Sequence, residues 1–149
     1  MSTRDASPPA GDAPYHRGQD LGLPAQGPGS VAGFGVRLLA LLVDWAAANL
    51  VALVLAGTGV WSAGTSRVWL PLVVWYLLTS LATGLTGASL GQGALRLRVL
   101  RLDRQPMGLV RGFARTALIA LVLPAVVQVG DGRGLHDLAA GTVVVHGPR

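Results

Sequence analysis

The 149-residue chain has no cysteine, no lysine and no glutamate, and only 13% of its residues are charged. The absence of cysteine excludes disulfides, thiolate metal sites and cysteine nucleophiles. All twelve cations are arginine and all seven acids are aspartate, a bias that resembles GC-rich coding and hints at a bacterial source. Apolar residues make up 51% of the chain and come in blocks, and the mean hydropathy is +0.52. This pattern predicts a membrane protein.

Two of the apolar blocks are long enough to cross a bilayer. Residues 38–56 read "LLALLVDWAAANLVALVLA", and residues 68–86 read "VWLPLVVWYLLTSLATGLT". At about 1.5 Å of rise per residue, each block nearly matches a hydrocarbon layer of roughly 30 Å. Pro71 lies in the first turn of the second block, where a missing N–H does no harm.

A third apolar block is short. Residues 116–130 carry no charge, but as a helix they reach only about 22 Å. Residues 113–130 can span the bilayer with strain if the Arg115 side chain extends to the membrane surface. Pro124 interrupts this longer helix. A re-entrant helix is nearly as well supported, and we lean slightly towards a span. We therefore expect an all-α integral membrane protein with two transmembrane helices, a third short or re-entrant helix and a basic cytoplasmic loop.

The flanking segments give the domain limits and the orientation. Residues 1–32 are rich in Pro and Gly and lack an apolar core, which predicts a disordered tail before a transmembrane domain at 33–149. Residues 87–115 hold six arginines, so this loop and the N-terminus should be cytoplasmic in a multi-pass protein of the cell membrane. Within the loop, "LRLRVLRL" alternates like a short strand or an interfacial ribbon, and "TVVV" near the C-terminus can form a strand.

The arginines and the small residues suggest partners. Arginines beside apolar blocks favour anionic lipid headgroups. Nucleic acid is not expected, because the arginine run at residues 96–104 lacks the aromatic residues needed for base stacking. Two or three helices hardly enclose a pathway, so transport would require a homo-oligomer, and a partner membrane protein is the other option. Small residues four apart, at 80 and 84 and at 83 and 87, provide one candidate seam between helices.

The first block contains a buried acid. Asp44 follows Arg37 by seven residues, which is 700° of helix, so the two share one face about 10.5 Å apart. An acid at this depth costs about 2.5–3.5 kcal/mol on insertion scales. Asp44 is therefore either paired structurally, with Arg37 or with Arg115 on another helix, or it is a proton or cation site.

The C-terminal stretch "RGLHD" offers a second polar group. Gly132 and Gly134 allow a tight turn, and Arg133, His136 and Asp137 can form a network that reaches Asp44 or the basic loop. His136 can titrate near neutral pH. The plainer interpretation is a turn and cap that docks the tail on the helices. A His–Asp metal pair with Asp131 or His146 is a weak signal, so no metal site is predicted.

These features together resemble the RDD family of small bacterial membrane proteins, named for one Arg and two Asp. Arg37 and Asp44 match the family's Arg and first Asp, and "RGLHDLAAGTVVV" matches its C-terminal signature, with Asp137 as the second Asp. "SLGQGALRLRVLR" resembles its Gly-rich basic segment, and the resemblance covers residues 33–149. It implies a membrane protein of mostly unassigned function, with transport as the usual suggestion and cation–proton exchange for some members.

The functional hypothesis is a membrane protein that handles a cation, a proton or a small solute at Asp44. The alternative is a scaffold or accessory subunit that binds a partner protein. No enzyme activity is expected, since no nucleophile motif is present. No cofactor is expected either, since "GPGSVAG" and "GQGALR" fail the dinucleotide pattern and are interpreted as turns.

Overall fold

A computed structural model describes residues 15–62, 64, 66–103, 105–121 and 133–148. It is mostly helical, with a small sheet. The helices are α1 (Phe34–Ala56), α2 (Leu70–Thr86), α3 (Leu90–Ala94), α4 (Leu109–Ala120) and α5 (Leu135–Ala139), and the strands are β1 (Leu97–Arg101) and β2 (Thr142–His146). Short 3-10 turns at Gly57–Trp61 and Ser66–Trp69 lie between α1 and α2.

The two predicted membrane helices are present. Phe34–Trp61 and Arg67–Thr86 are long and apolar enough to cross a membrane, with mean hydropathies of 2.2 and 1.7. The inner face of α1 carries residues at helical spacing that are mostly small, while its other faces expose large apolar side chains. The inner residues are Ala40, Asp44, Ala48 and Ala52. Small side chains let α1 approach α2 closely, and the exposed apolar side chains suit lipid.

Helix α4 runs antiparallel to α2 and covers its small-residue face. Along the pair, Leu109 lies against Gly84, and Gly112 lies against Ser80. A Cβ on Gly112 would stand 2.7 Å from the Ser80 carbonyl oxygen, so only glycine permits this approach. The small-residue face at positions 80–87, predicted as a seam between helices, is therefore filled largely by α4 of the same chain and is not free to join two copies.

The all-α expectation needs correction, because the structure contains an antiparallel pair of strands. Leu97 pairs with His146 and Arg101 with Thr142. The alternation in "LRLRVLRL" is a true strand pattern, since Leu97 and Val99 are buried and Arg98 is exposed. The run "TVVV" is apolar throughout because both faces of β2 are covered. The segment "GQGALR", interpreted as a turn, contributes to α3.

Residues 15–32 pack on β2, although their composition predicted disorder. The Ala32 N–H donates to the Val144 carbonyl at 2.9 Å, and the His146 N–H donates to the Ser30 carbonyl at 3.0 Å. Val31, with the partly buried Leu21 and Leu23, packs against Val143 and Val145. Few apolar residues suffice here because β2 supplies both the hydrogen bonds and the apolar surface. Residues 1–14 lie outside the described residues.

Three described segments outside the long helices gather at one end of the α1–α2 pair, whereas the 3-10 turns between α1 and α2 lie at the other end. We call residues 15–33, 87–103 and 133–148 the cap. The Val99 N–H donates to the Gly87 carbonyl at the end of α2, and Val31 bridges to Val145. Both the N-terminal and the C-terminal segment therefore belong to the same end of the helix pair.

The structure describes only the first part of the third apolar block. Helix α4 has 12 residues, or about 18 Å, and starts at the cap end. Residues 122–130 of the block lie outside the described residues. Because β2 pairs with β1 and with Val31, the C-terminal strand lies at the same end of the helix pair as the N-terminal segment.

We predict that the two termini lie on the same side of the membrane. A reporter fused after Arg149 and one fused before Met1 should give the same compartment, because the strand pairing holds both segments in the cap. The measurement is the activity of paired reporters that work on opposite sides of the membrane. Opposite locations for the two fusions would contradict the fold.

Candidate functional site

Asp137 is the centre of a buried ion cluster. It lies in α5 and is 0% exposed. Its Oδ1 accepts from the Arg115 Nε at 2.9 Å and from the Thr142 Oγ1 at 3.2 Å, and its Oδ2 accepts from the Arg37 Nη1 at 3.1 Å. One carboxylate therefore joins α1, α4, α5 and β2.

The charges around Asp137 keep it ionised. Burial by itself would raise the pKa of Asp137, but the charges of Arg115, His136 and Arg37 and the Arg115 hydrogen bond outweigh it and hold the pKa below its ordinary value. The two arginines thus compensate a charge that would be costly to bury alone.

Two further groups complete the cluster. The His136 Nε2 lies 3.5 Å from the Asp137 Oδ2, an ion pair when the histidine is protonated. The Arg37 Nη2 donates to the Val144 carbonyl at 3.4 Å, which attaches the start of α1 to β2. Arg133 is half-buried just before Gly134, the residue that caps α5.

Asp44 is bound by neutral donors from α3. Its Oδ2 accepts from the Ser89 hydroxyl at 2.5 Å, and its Oδ1 accepts from the Gly91 N–H at 2.7 Å. Ser89 and Gln92 form a capping box, in which Ser89 Oγ accepts from the Gln92 N–H and the Gln92 Oε1 accepts from the Ser89 N–H. Asp44 thereby satisfies one more of the unpaired N–H groups at the start of α3.

The close approach of α3 to α1 depends on Gly91. A Cβ at this position would lie 2.0 Å from the Ala40 carbonyl oxygen, which no side chain permits. Since Asp44 follows Ala40 by one helical turn, the same contact delivers the Gly91 N–H to the carboxylate. The glycine in "SLGQG" therefore serves the Asp44 site directly.

A cavity of about 100 Å³ lies between the two acids. It extends along α1 from Phe34 to Asp44, and Arg37, Arg115 and His136 line it from the cluster side. Thr79, Ser89 and Gln92 contribute its other polar groups. A water molecule takes about 30 Å³ in the liquid, so the space suits a few waters or one small solute.

Arg115 connects the two acids. Its side chain is 3% exposed, and its Nε is engaged by Asp137. The same guanidinium lines the cavity and attracts the Asp44 carboxylate without bonding to it directly. Among the described residues, Asp44 has no hydrogen bond from an arginine.

A family model matches most of the chain. The model of the RDD family matches residues 31–141, about three quarters of the chain. The chain belongs to the RDD family. No curated protein and no solved structure matches it. Arg37, Asp44 and Asp137 all fall within the RDD match, and the two apolar helices agree with a membrane protein of this family.

The RDD fold brings together most of the predicted site residues. Arg37, Arg115, His136 and Asp137 form one cluster, and Asp44 lies across the cavity from Arg115. The shared helix face of Arg37 and Asp44 does not produce a direct bond. Arg37 reaches the cap instead, where Asp137 and a carbonyl accept its protons. Of the weak metal ligands considered, Asp131 lies outside the described residues and His146 ends β2.

Sequence reasoning missed the partners of Asp44. Ser89 and Gln92 carry a recognisable signal, because S-x-x-Q is a capping-box pattern that marks the start of a helix. That Asp44 would accept from this helix start is not visible in the local pattern.

We predict that Asp137→Asn lowers the free energy of unfolding by about 3–5 kcal/mol. The amide is nearly isosteric but leaves Arg37 and Arg115 buried without a counter-charge. Thermal unfolding in detergent micelles measures the effect. Asp103→Asn is the matched control, since Asp103 is exposed and its contacts among the described residues are Arg101 and the Gln105 N–H in the same loop.

The pH dependence of stability follows from the same cluster. A carboxyl whose pKa is lower in the folded state stabilises the protein fully above its unfolded value of about 3.9, and loses this effect as the pH falls through the folded value. The melting temperature should therefore fall more steeply below about pH 4 in the unmodified protein than in Asp137→Asn. Parallel curves for the two proteins would refute the ion cluster.

Proposed function

We propose that this RDD protein binds a proton or a small monovalent cation at Asp44 and moves it across the membrane. The observation that carries the proposal is the buried Asp44 carboxylate, which borders a cavity and, among the described residues, accepts hydrogen bonds from neutral donors. Acids within membrane helices are candidates for functional sites because burying their charge in the bilayer is costly.

Asp44 suits this role better than Asp137. Two arginines neutralise Asp137, so a second cation would meet a positive environment there. The nearest compensation for Asp44 comes from Arg115, which is already engaged by the other acid. A proton or cation at Asp44 therefore supplies the positive charge that the surrounding residues provide only in part for this carboxylate.

Protonation of Asp44 needs little rearrangement. A proton on Oδ2 can be donated to the Ser89 oxygen, because the hydroxyl of Ser89 rotates and its oxygen can accept. The Gly91 N–H keeps its bond to Oδ1 in both states. Helix α3 thus stays capped whether Asp44 is charged or neutral, as a carrier site requires.

The pathway requires more than one copy. Two long apolar helices and α4 enclose only a small cavity, so we propose a homo-oligomer. The small-residue face of α2 is occupied by α4, which leaves the outer face of α1, with Leu42, Leu50 and Val54, as the better seam. From the arginine distribution, we place the cap on the cytoplasmic side of the cell membrane, where exposed arginines can meet anionic headgroups.

A second candidate function is a membrane scaffold or accessory subunit. It is favoured by the use of both Asp44 oxygens in holding α3. In that case the acid joins helices, and the cavity holds only water. The two functions make different predictions for a neutral replacement of Asp44.

We expect Asp44→Asn to abolish proton-coupled cation flux in proteoliposomes. Asparagine keeps an oxygen acceptor for the Gly91 N–H and a group that can bond Ser89, so the fold should survive. Flux is measured with a pH-sensitive dye under sodium, potassium and lithium gradients. Asp103→Asn, the same substitution at an exposed site, should retain full flux.

Two outcomes would count against the proposal. Absence of flux from well-folded protein under all three gradients would exclude cation–proton exchange and favour the scaffold. Flux that persists in Asp44→Asn would remove Asp44 from the mechanism while leaving transport intact.

A further inference from the structure

Arg115 has hydrogen-bonding capacity that the described part of the chain does not use. Its Nε donates to Asp137, but its Nη1 and Nη2 donate to no acceptor in the described part of the chain. The residue is 2% exposed and lines the cavity, so an acceptor for these donors has to lie within the cavity. Buried donors are rarely left without a partner, which indicates a species in the cavity that accepts hydrogen bonds.

Two other cavity groups share this property. The Gln92 side chain uses Oε1 to accept from the Ser89 N–H, and its amide nitrogen has no acceptor among the described residues. The Thr79 hydroxyl, on α2, likewise has no hydrogen-bond partner there, although the residue is only 5% exposed. Both line the cavity. Donors from three helices therefore converge on one small space.

The free end of the Arg115 guanidinium has a shape that selects its partner. Nη1 and Nη2 present parallel N–H groups that match the two oxygens of a planar carboxylate. A cavity of about 100 Å³ has room for a carboxylate with one or two carbon atoms but not for a bulky carboxylate.

The charge of the site sets a condition on such an anion. Arg37 on α1 and Arg115 on α4 balance Asp44 on α1 and Asp137 on α5, with His136 on α5 as the remaining titratable group. The groups that α2, α3 and β2 contribute to the cavity are uncharged. One added anion would leave a net negative charge beside Asp44, and one proton or monovalent cation at Asp44 would remove it.

We propose that Arg115, with Gln92 and Thr79, binds a small monocarboxylate of the size of formate or acetate, together with one proton or monovalent cation at Asp44. Carboxylate binding stands on the donor geometry alone, whereas the coupling to Asp44 rests on the function proposed above. In the protonated case, the proton moves from solvent to Asp44 Oδ2, and no covalent bond of the carboxylate changes. The protein would then carry an anion and a positive charge together.

The test is a titration of the full-length protein in nanodiscs with sodium acetate, followed by tryptophan fluorescence. Trp75 borders the cavity and is 4% exposed, so its emission should respond to binding. Sodium gluconate, a larger carboxylate, replaces acetate to hold the ionic strength constant and serves as the size control. We expect saturation with acetate and none with gluconate.

Two variants separate the site from the fold. Gln92→Glu keeps an oxygen that accepts from the Ser89 N–H but replaces the amide donor with a negative charge, so acetate binding should weaken at least tenfold. Thr79→Val removes one donor and should weaken it several-fold. Thr83→Val is the matched control, because Thr83 is buried one turn away on α2, has no partner for its hydroxyl and does not line the cavity.

The coupling between acetate binding and protonation of Asp44 is tested by measuring acetate affinity as a function of pH at a fixed sodium concentration. Between about pH 6 and 8, where a simple carboxylate is ionised, acetate affinity should rise as the pH falls, by up to tenfold per unit for one bound proton. Asp44→Asn, which is neutral at every pH, should bind acetate tightly throughout and lose this dependence.

The outcomes are distinct. No saturable acetate response, or equal affinity in Gln92→Glu and Thr83→Val, would overturn the carboxylate site and leave water as the occupant of the cavity. Unchanged pH dependence in Asp44→Asn would overturn the coupling. Acetate binding without any cation flux would refute the transport function and leave the carboxylate site intact. Cation flux without acetate binding would refute the carboxylate site and leave the transport function intact.

Discussion

The burial of the Asp137 carboxylate is the constraint on which the rest of the structure depends. A fully buried acid must be compensated, and here the compensation comes from Arg37 on α1 and Arg115 on α4. This requirement fixes the start of α1, the middle of α4 and the C-terminal strand relative to one another. The cap and its sheet follow from it.

The two acids of the RDD pattern have different surroundings, and that difference separates their roles. Asp137 is neutralised by cations and holds elements together. Asp44 is held by a hydroxyl and a backbone N–H, which leaves its charge only partly compensated. Arg115 belongs to both sites, since one edge of its guanidinium bonds Asp137 while the other faces the cavity beside Asp44. A change of charge at Asp44 is therefore felt by the cluster through Arg115.

The sequence predicts what depends on local pattern. Apolar runs identify α1 and α2, and alternation identifies β1. Pairings between distant residues are not visible in this way. Arg37 and Asp137 are a hundred positions apart, and helix geometry alone suggested Asp44 as the neighbour of Arg37. Residues 15–32 look disordered because the strand that orders them, β2, is more than 110 positions away. The local pattern likewise does not show that α4 covers the face of α2 that was expected to join two copies.

Solid-state NMR of the protein in lipid bilayers tests the central claim most directly. Nitrogen-15 labelled arginine and carbon-13 labelled aspartate allow the guanidinium-to-carboxylate couplings to be measured, and seven aspartates keep the assignment tractable. The carboxyl carbon of Asp137 should show strong dipolar coupling to two arginine side chains, and that of Asp44 should show none of comparable strength. Strong coupling of Arg37 to Asp44, with none to Asp137, would contradict the ion cluster and the fold built on it.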